Sequence, residues 1–300
     1  LDKQNLKNKI KIFKKNEYYI LNGDSLNLKS VIDDILKSKN NNKKNFFKND
    51  FKLKINIKNA FIEKKDKVIK LKGHLYFKKN ELVDAKLNSV FSNQKKISFS
   101  VKSKNNEKIT TLFSEYPKPL VQKYDFINGF EKGILDFYSI KKDGISNSVL
   151  IIDNFKLKEV PVLAKILTLA SLQGIADLLT GEGIRFTDFE MKFKNNKELM
   201  TIEEMYAIGP AISILLEGYI ESNQLISLRG TLVPATTINR SIASIPLIGD
   251  ILVGKKIGEG VFGVSFKIKG PPKNVATSVN PIKTLTPRFI TRTLEKIKKN

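Results

Sequence analysis

Apolar and polar residues alternate along much of this chain with a period of two. That period is typical of β-strands that bury one face and expose the other, as strands of antiparallel sheets do. The clearest alternating segments are residues 51–58, 69–77, 97–101, 149–157, 189–193 and 262–268. The pattern therefore predicts a mostly β protein with an antiparallel sheet, whose strands each carry one apolar face.

Clusters of turn-forming residues separate these strands, at 40–45, 103–107, 141–144 and 194–198. Helical patterns are few, with short helices expected at 26–38, near 234–243 and near 287–299.

The longest helical pattern covers residues 161–179, where apolar residues lie three and four positions apart. Lys165, Gln173, Gly174 and Asp177 interrupt this segment, so we do not expect it to cross a bilayer. An amphipathic helix of this kind can pack its apolar side on the domain's own sheet. Alternatively, that side can contact a membrane or close the end of an apolar groove.

The composition changes near residue 148, and we expect a strand-rich, Lys-rich segment over 1–147 and a more apolar region over 148–300. The net charge is +23, and the first 150 residues hold 33 basic side chains against 16 acidic ones. Only five of the 53 basic residues are Arg, the residue that binds phosphates and base edges bidentately. The charge therefore favours a solvated lysine coat, and nucleic-acid binding through the basic front half is the less favoured alternative.

No catalytic or metal-binding motif in the sequence is complete. The chain has no Cys and one His, which excludes thiolate catalysis, Cys-based metal sites and multi-His clusters. A glycine-rich G-E-G-V-F-G at 258–263 is followed by only 37 residues, far too few for a protein kinase. The P-loop-like run at 249–256 has Lys256 where a Ser or Thr hydroxyl must coordinate magnesium.

Two remaining polar features also lack a catalytic arrangement. Glu203 and Glu204 are adjacent, so on a regular strand they are expected to point to opposite faces. His74 is expected to face solvent, on the face opposite Leu71 and Leu75. We therefore predict a protein without enzymatic activity, cofactor or metal.

Four ordered segments of the back half carry a family resemblance: 161–186, 209–218 (G-P-A-I-S-I-L-L-E-G), 228–254 and 261–287. Together they resemble the C-terminal region of AsmA-like proteins, in the form found in YhdP-type proteins of Gram-negative bacteria. The resemblance spans about residues 148–292 and departs from the family pattern at Arg288, where a small residue is expected.

The resemblance implies an elongated, twisted antiparallel sheet curled into a groove (β-taco-like) with an apolar interior, together with a few amphipathic helices. It also implies a periplasmic domain of a protein anchored in the inner membrane. The implied role is non-enzymatic: carrying phospholipid between the inner and outer membranes, or maintaining the lipid balance of the outer membrane. The chain starts at Leu1 rather than Met and shows no signal peptide, so we expect the anchor to lie outside it.

Acyl chains need a continuous apolar wall, because exposing each buried methylene to water costs about 0.8 kcal/mol. Stacked strands with aligned apolar faces supply such a wall. The candidate lipid-groove residues are Phe189, Met191, Phe193, Phe262, Val264, Phe266 and Ile268. The candidates for a helix at the groove end or the membrane are Leu163, Ile166, Leu167, Ala170 and Leu178.

Other interpretations of the same pattern stay open. The apolar faces could pack on one another as a closed core, and the protein could be a scaffold that aids outer-membrane protein or envelope assembly. The expected partners are phospholipid, a membrane surface and envelope proteins.

Overall fold

A computed structural model describes residues 8–29, 50–62, 66–79, 81–122, 129–196, 198–222, 224–234, 263–271 and 274–282. This part of the chain is mostly β, as the alternation predicted, with three short helices. The strands are β1 (Lys9–Lys15), β2 (Tyr18–Asn27), β3 (Phe51–Phe61), β4 (Lys67–Lys78), β5 (Glu81–Phe91), β6 (Lys96–Lys104), β7 (Glu107–Ser114), β8 (Gly129–Lys142), β9 (Ile145–Lys158), β10 (Ile184–Asn196), β11 (Leu199–Ile208), β12 (Ile212–Glu221), β13 (Leu225–Pro234), β14 (Gly263–Gly270) and β15 (Ala276–Ile282). The helices are α1 (Lys118–Val121), α2 (Pro161–Leu169) and α3 (Gln173–Thr180).

All fifteen strands belong to one sheet, in which each strand lies beside its neighbours in sequence. Antiparallel pairs dominate, from β3–β4 to β14–β15, so the predicted antiparallel sheet is confirmed. One pair departs from this pattern, because β2 and β3 run parallel. A parallel pair needs a crossover connection rather than a hairpin, and residues 28–50 form that connection here.

Tight hairpins explain much of this sequential order. Asn105 and Asn106 both have positive φ between β6 and β7, and Asp143 and Gly144 do so between β8 and β9. Positive φ at both central residues defines the type I′ turn, whose twist matches that of the flanking strands and which favours Asn, Asp and Gly. The turns predicted at 103–107 and 141–144 are therefore confirmed.

The chain divides into two compact units. The first comprises Leu1–Lys123 and Gly133–Leu150, and the second comprises Tyr124–Lys132 and Ile151–Asn300. The division near residue 150 falls within β9, close to the composition change at residue 148.

In the first unit, the strand registers align apolar residues across β1–β8 on one face. One such row consists of Ile12, Leu21, Ile55, Gly73, Leu87, Phe99, Leu112 and Phe137. Ile55 and Leu21 of this row belong to a buried core cluster with Ile57, Val68 and Phe91. Alternation along each strand thus becomes a continuous apolar surface once the strands pair.

The opposite face of the first unit is rich in lysine. Lys54, His74 and Lys86 are direct cross-strand neighbours on β3, β4 and β5. His74 is on this face with 44% of its side chain exposed, as expected, and its Nε2 lies 2.6 Å from Oδ1 of Asp84. Lys54 Nζ lies 4.3 Å from the ring centroid of Tyr18, a cation–π distance. The lysines thus coat the polar side of these strands.

The helices differ from the predicted ones. Residues 161–179 form two helices, α2 and α3, rather than one. The N–H of Leu172 bonds to the C=O of Leu167, and the N–H of Ser171 bonds to the C=O of Thr168. With Ser171 at φ 59°, these bonds form a Schellman motif, which ends α2. Glycine usually occupies that position, so Ser171 gave no signal in the sequence.

Of the three shorter predicted helices, only the first can be compared with the structure, and only at its start. The helix predicted at 26–38 is wrong at its start, because Leu26 and Asn27 belong to β2. Residues 30–38 lie outside the described residues, as do 235–243 and 287–299.

Replacing Leu167 by alanine should lower the free energy of unfolding by about 3 kcal/mol, since its side chain is fully buried in α2. Leu169, on the same helix, is 48% exposed, and the same substitution there should change stability by no more than about 0.5 kcal/mol. Urea denaturation of both variants measures the difference. Equal losses would mean that α2 does not pack through the Leu167 face.

Candidate functional site

The second unit contains a continuous apolar surface, formed by β10–β15. Strand pairing aligns side chains from successive strands into three neighbouring rows. The rows are Phe189, Ala207, Ile214, Leu232 and Val264; Met191, Met205, Leu216, Gly230, Phe266 and Val279; and Phe193, Ile202, Gly218, Leu228, Ile268 and Thr277. We call this surface the apolar face. Apart from Thr277, at the end of the third row, every member is an apolar residue or glycine.

The predicted groove residues come together on this surface. Phe189, Met191 and Phe193 begin the three rows on β10. Val264, Phe266 and Ile268 occupy the same three rows on β14, four strands away in the sheet order. Phe262 lies outside the described residues. Two sets of candidates that are 75 residues apart in sequence therefore share one face.

Solvent access differs along the apolar face. Phe189, Met191 and Phe193 on β10 are half-buried. Leu232 on β13 and Val264 on β14 are fully buried. On β15, Val279 is again half-buried. We call the β10 side of the apolar face the accessible end and its β13–β14 part, which is packed like a protein core, the packed end.

A glycine on β13 shapes the packed end. The ring of Phe266 lies over Gly230, so that a β-carbon at Gly230 would come within 2.5 Å of Cζ of Phe266 and would also collide with the carbonyl oxygen of Leu215. Because glycine has no side chain, the Phe266 ring can lie close to the backbone, where it is only 5% exposed.

Replacing Gly230 by alanine should therefore lower the free energy of unfolding by about 2 kcal/mol, through overpacking. Gly174 in α3 provides the matched control, because nothing lies within 4 Å of a β-carbon placed there. Its replacement by alanine should be neutral or stabilise the protein by up to about 1 kcal/mol, since alanine favours helix. Thermal denaturation of the two variants would expose the contrast, and a stable Gly230→Ala variant would contradict this packing.

A stack of aromatic rings adjoins the apolar face. Phe155 on β9 stacks against Phe130 on β8 at 5.5 Å and against Phe186 on β10 at 5.3 Å, measured between ring centroids. It also contacts the ring of Phe189 edge-on at 6.2 Å. Phe155 thus connects a buried aromatic cluster to the first residue of the first apolar row. The sequence shows each Phe but not their contacts, which depend on strand register.

Much of the other side of the same strands is polar and borders an open cavity of about 710 Å³, which is also lined by Leu216, Gly230, Phe266 and Val279 of the second apolar row. Two rows of the other side line it: Glu217, Arg229, Lys267 and Ser278, and Leu215, Thr231, Ser265 and Asn280, of which only Leu215 is apolar. Three of its charged side chains form ion pairs: Arg229 Nη2 lies 2.8 Å from Glu217 Oε1, and Glu203 Oε1 lies 2.6 Å from Lys194 Nζ. Each of these ion pairs joins two neighbouring strands on the polar side of the sheet.

The two adjacent glutamates at this cavity correct a prediction. Glu203 and Glu204 both line it, rather than pointing away from each other. The reason is a register shift in β11: Lys192 pairs with Glu204, whereas the next residue, Phe193, pairs with Ile202. A bulge of this kind adds one residue to the strand and breaks the alternation of its side chains.

The predicted helix residues are mostly internal. Leu163, Ile166 and Leu167 of α2 and Ala170 at its end are buried, whereas Leu178 of α3 is 43% exposed. α2 packs against α3 and against β15, the last strand of the sheet. The apolar side of α2 is therefore occupied by its own unit, and the exposed apolar side chains of this helix pair are Leu169 and Leu178.

Within the described residues, no helix is long and apolar enough to cross a membrane, and no group of three or more His, Asp or Glu side chains is placed to hold a metal ion. Comparison of the chain with family models, with curated protein sequences and with solved structures returned no match.

Proposed function

We propose that this chain is a non-enzymatic lipid-binding protein of the bacterial cell envelope, which holds the acyl chains of phospholipids against the apolar face of β10–β15. Its role is to carry phospholipid between the inner and outer membranes or to maintain the lipid balance of the outer membrane. The observation that carries this proposal is the alignment of three apolar rows, one across the five strands β10–β14 and two across all six strands of β10–β15.

The dimensions of the apolar face support acyl-chain binding. Neighbouring strands lie about 4.8 Å apart, so six strands extend for about 24 Å, comparable to a fully extended chain of 18 carbons. An acyl chain lying across the strands from the accessible end would meet apolar side chains or glycine, and to reach Leu232 and Val264 it would have to replace the protein's own packing there. Each methylene removed from water there contributes about 0.8 kcal/mol.

The accessible end supports a route of entry. Phe189, Met191 and Phe193 are half-buried, so they offer apolar contact area that is not already occupied by the protein's own packing. Met191 pairs with Met205, and both have unbranched, flexible side chains that adapt to an irregular ligand. We propose that lipid enters at β10 and β11.

The location in the envelope rests on the resemblance of residues 148–292 to the AsmA-like C-terminal region. We propose a periplasmic position in a protein anchored to the inner membrane, with phospholipid and membrane surfaces as partners. Aligned one-sided strands in one sheet agree with that resemblance.

Lipid extraction tests the proposal directly. The chain is purified from a Gram-negative host without added detergent, and its bound phospholipids are identified by mass spectrometry. We expect phospholipid in a defined molar ratio that survives gel filtration. A lipid-free protein that also fails to take up a fluorescent phospholipid from vesicles would overturn the proposal.

A scaffold for envelope assembly is the second candidate, and the burial of Leu232 and Val264 favours it. If the whole apolar face is a closed core, the protein would act through its surface and not by holding lipid. Capture of envelope proteins by a lipid-free chain would support this alternative over lipid binding.

A further inference from the structure

Strand β1 is an edge strand of the sheet. Among the described residues it pairs with β2 on one side only, so its other side presents unpaired backbone N–H and C=O groups. Such an edge is a template for another extended segment, and proteins commonly protect it. β1 is seven residues long, enough to pair with a peptide in an extended conformation.

The side chains of β1 are apolar on both of its faces at its centre. Ile12 lies on the same face as Leu21 and is 61% exposed. Phe13 lies on the other face, beside Ile20, and is 46% exposed. A strand added to the free edge would cover both side chains at once, which no contact on a single face could do.

The other exposed residues of β1 are lysines. Lys11, Lys14 and Lys15 are exposed, and no hydrogen bond or ion pair joins them to any other described residue. Together with Lys9 they give this strand four positive charges and no negative one. Like charges on neighbouring strands are destabilising, so pairing of β1 with β1 of a second copy would place eight lysines together. The lysines thus disfavour self-association and favour an acidic partner.

We propose that the free edge of β1 binds an acidic, extended segment of another protein by β-strand addition. In this mode backbone hydrogen bonds supply affinity, and alternate side chains supply specificity. The side chains of β1 define the pattern of an antiparallel partner. It carries acidic residues opposite Lys15, Lys14 and Lys11, and apolar residues opposite Phe13, Ile12 and Ile10. This interaction does not depend on lipid binding by β10–β15.

A peptide pair tests the proposal on the full chain. The probe has the core Glu-Glu-Val-Ile-Glu-Val, and the control has lysine in place of each glutamate. We expect the acidic peptide to bind at least about tenfold more tightly, because three favourable cross-strand pairs replace three repulsive ones. Hydrogen exchange should show new protection at those β1 amides that face the free edge and do not bond to β2. The preference should weaken as salt is added, since these charges are exposed.

A charge-swapped protein supplies the matched control. Lys11→Glu, Lys14→Glu and Lys15→Glu, combined, change exposed side chains without described partners, so the fold should survive. This variant should prefer the basic peptide by a similar factor. The proposal would be overturned by no binding of the acidic peptide, by equal affinity for both peptides, or by protection in the free protein of the β1 amides that face the free edge. Protection in a concentration-dependent dimer would instead identify a second copy as the occupant and would also overturn it.

Discussion

Replacing Phe155 by alanine is expected to lower the free energy of unfolding of the second unit by about 4 kcal/mol. Phe155 is 3% exposed and lies between Phe130 and Phe186. Removing a buried phenylalanine side chain typically costs about 3–5 kcal/mol, because the apolar area is lost and a cavity is left. Here two stacked ring pairs are lost as well, each worth about 0.5–1.5 kcal/mol beyond its area.

The measurement is urea denaturation followed by circular dichroism, with Phe155→Leu as the control. Leucine keeps most of the buried volume but not the ring stacking, so it should lose clearly less stability than alanine does. A loss below about 1 kcal/mol for Phe155→Ala would show that the aromatic stack is not a packed part of the core.

The second large effect is expected at the centre of the accessible end. Replacing Met191 by lysine should weaken phospholipid binding by more than about tenfold, since an acyl chain covering this position would have to bury an ammonium group without a partner. Folding should be affected less, because Met191 is half-buried and a lysine side chain can extend its charged end into water.

Two controls separate binding from folding in this test. Met191→Leu keeps the position apolar and should keep the affinity. Ser278→Lys adds the same charge at an exposed position on the polar side of the sheet and should also keep it. The measurement is titration with a fluorescent phospholipid. Unchanged affinity in Met191→Lys would place the acyl chains elsewhere or leave the apolar face as a closed core.

Local alternation was a reliable guide to the strands. The segments at 51–58 and 189–193 lie within β3 and β10, because a strand that buries one face must alternate regardless of its partners. The opposite placement of His74 and Leu71 follows from the same rule. The hairpin turns at 103–107 and 141–144 were also visible, because Asn, Asp and Gly tolerate the positive φ that type I′ turns need.

Long-range register was not predictable from the sequence. The three apolar rows depend on pairings between strands that local patterns do not fix, and on one extra residue at Glu203 in β11. The parallel pairing of β2 with β3 was not predictable, because local alternation does not give the direction of a strand. The end of α2 was missed because Ser171 adopts the left-handed conformation that glycine usually provides. The groove candidates on β10 and β14 were thus chosen from local alternation, and only strand pairing places them side by side.

The structure shows where the lysines of the first unit lie. Their side chains lie on the polar side of β3–β5 and along the edge strand β1, opposite or beside apolar residues. Lysine at these positions keeps a sheet with a large apolar face soluble and discourages association between its edges. On β1 the same charges would select an acidic partner.

Photo-crosslinking at two adjacent residues of β10 tests the central claim most directly. A photoreactive amino acid at Met191 lies on the apolar face, and one at Lys192 lies on the opposite side of the same strand. In protein loaded with phospholipid, we predict abundant lipid adducts from position 191 and few from position 192. Equal labelling of the two positions, or no adduct at 191, would contradict the assignment of acyl chains to the apolar face.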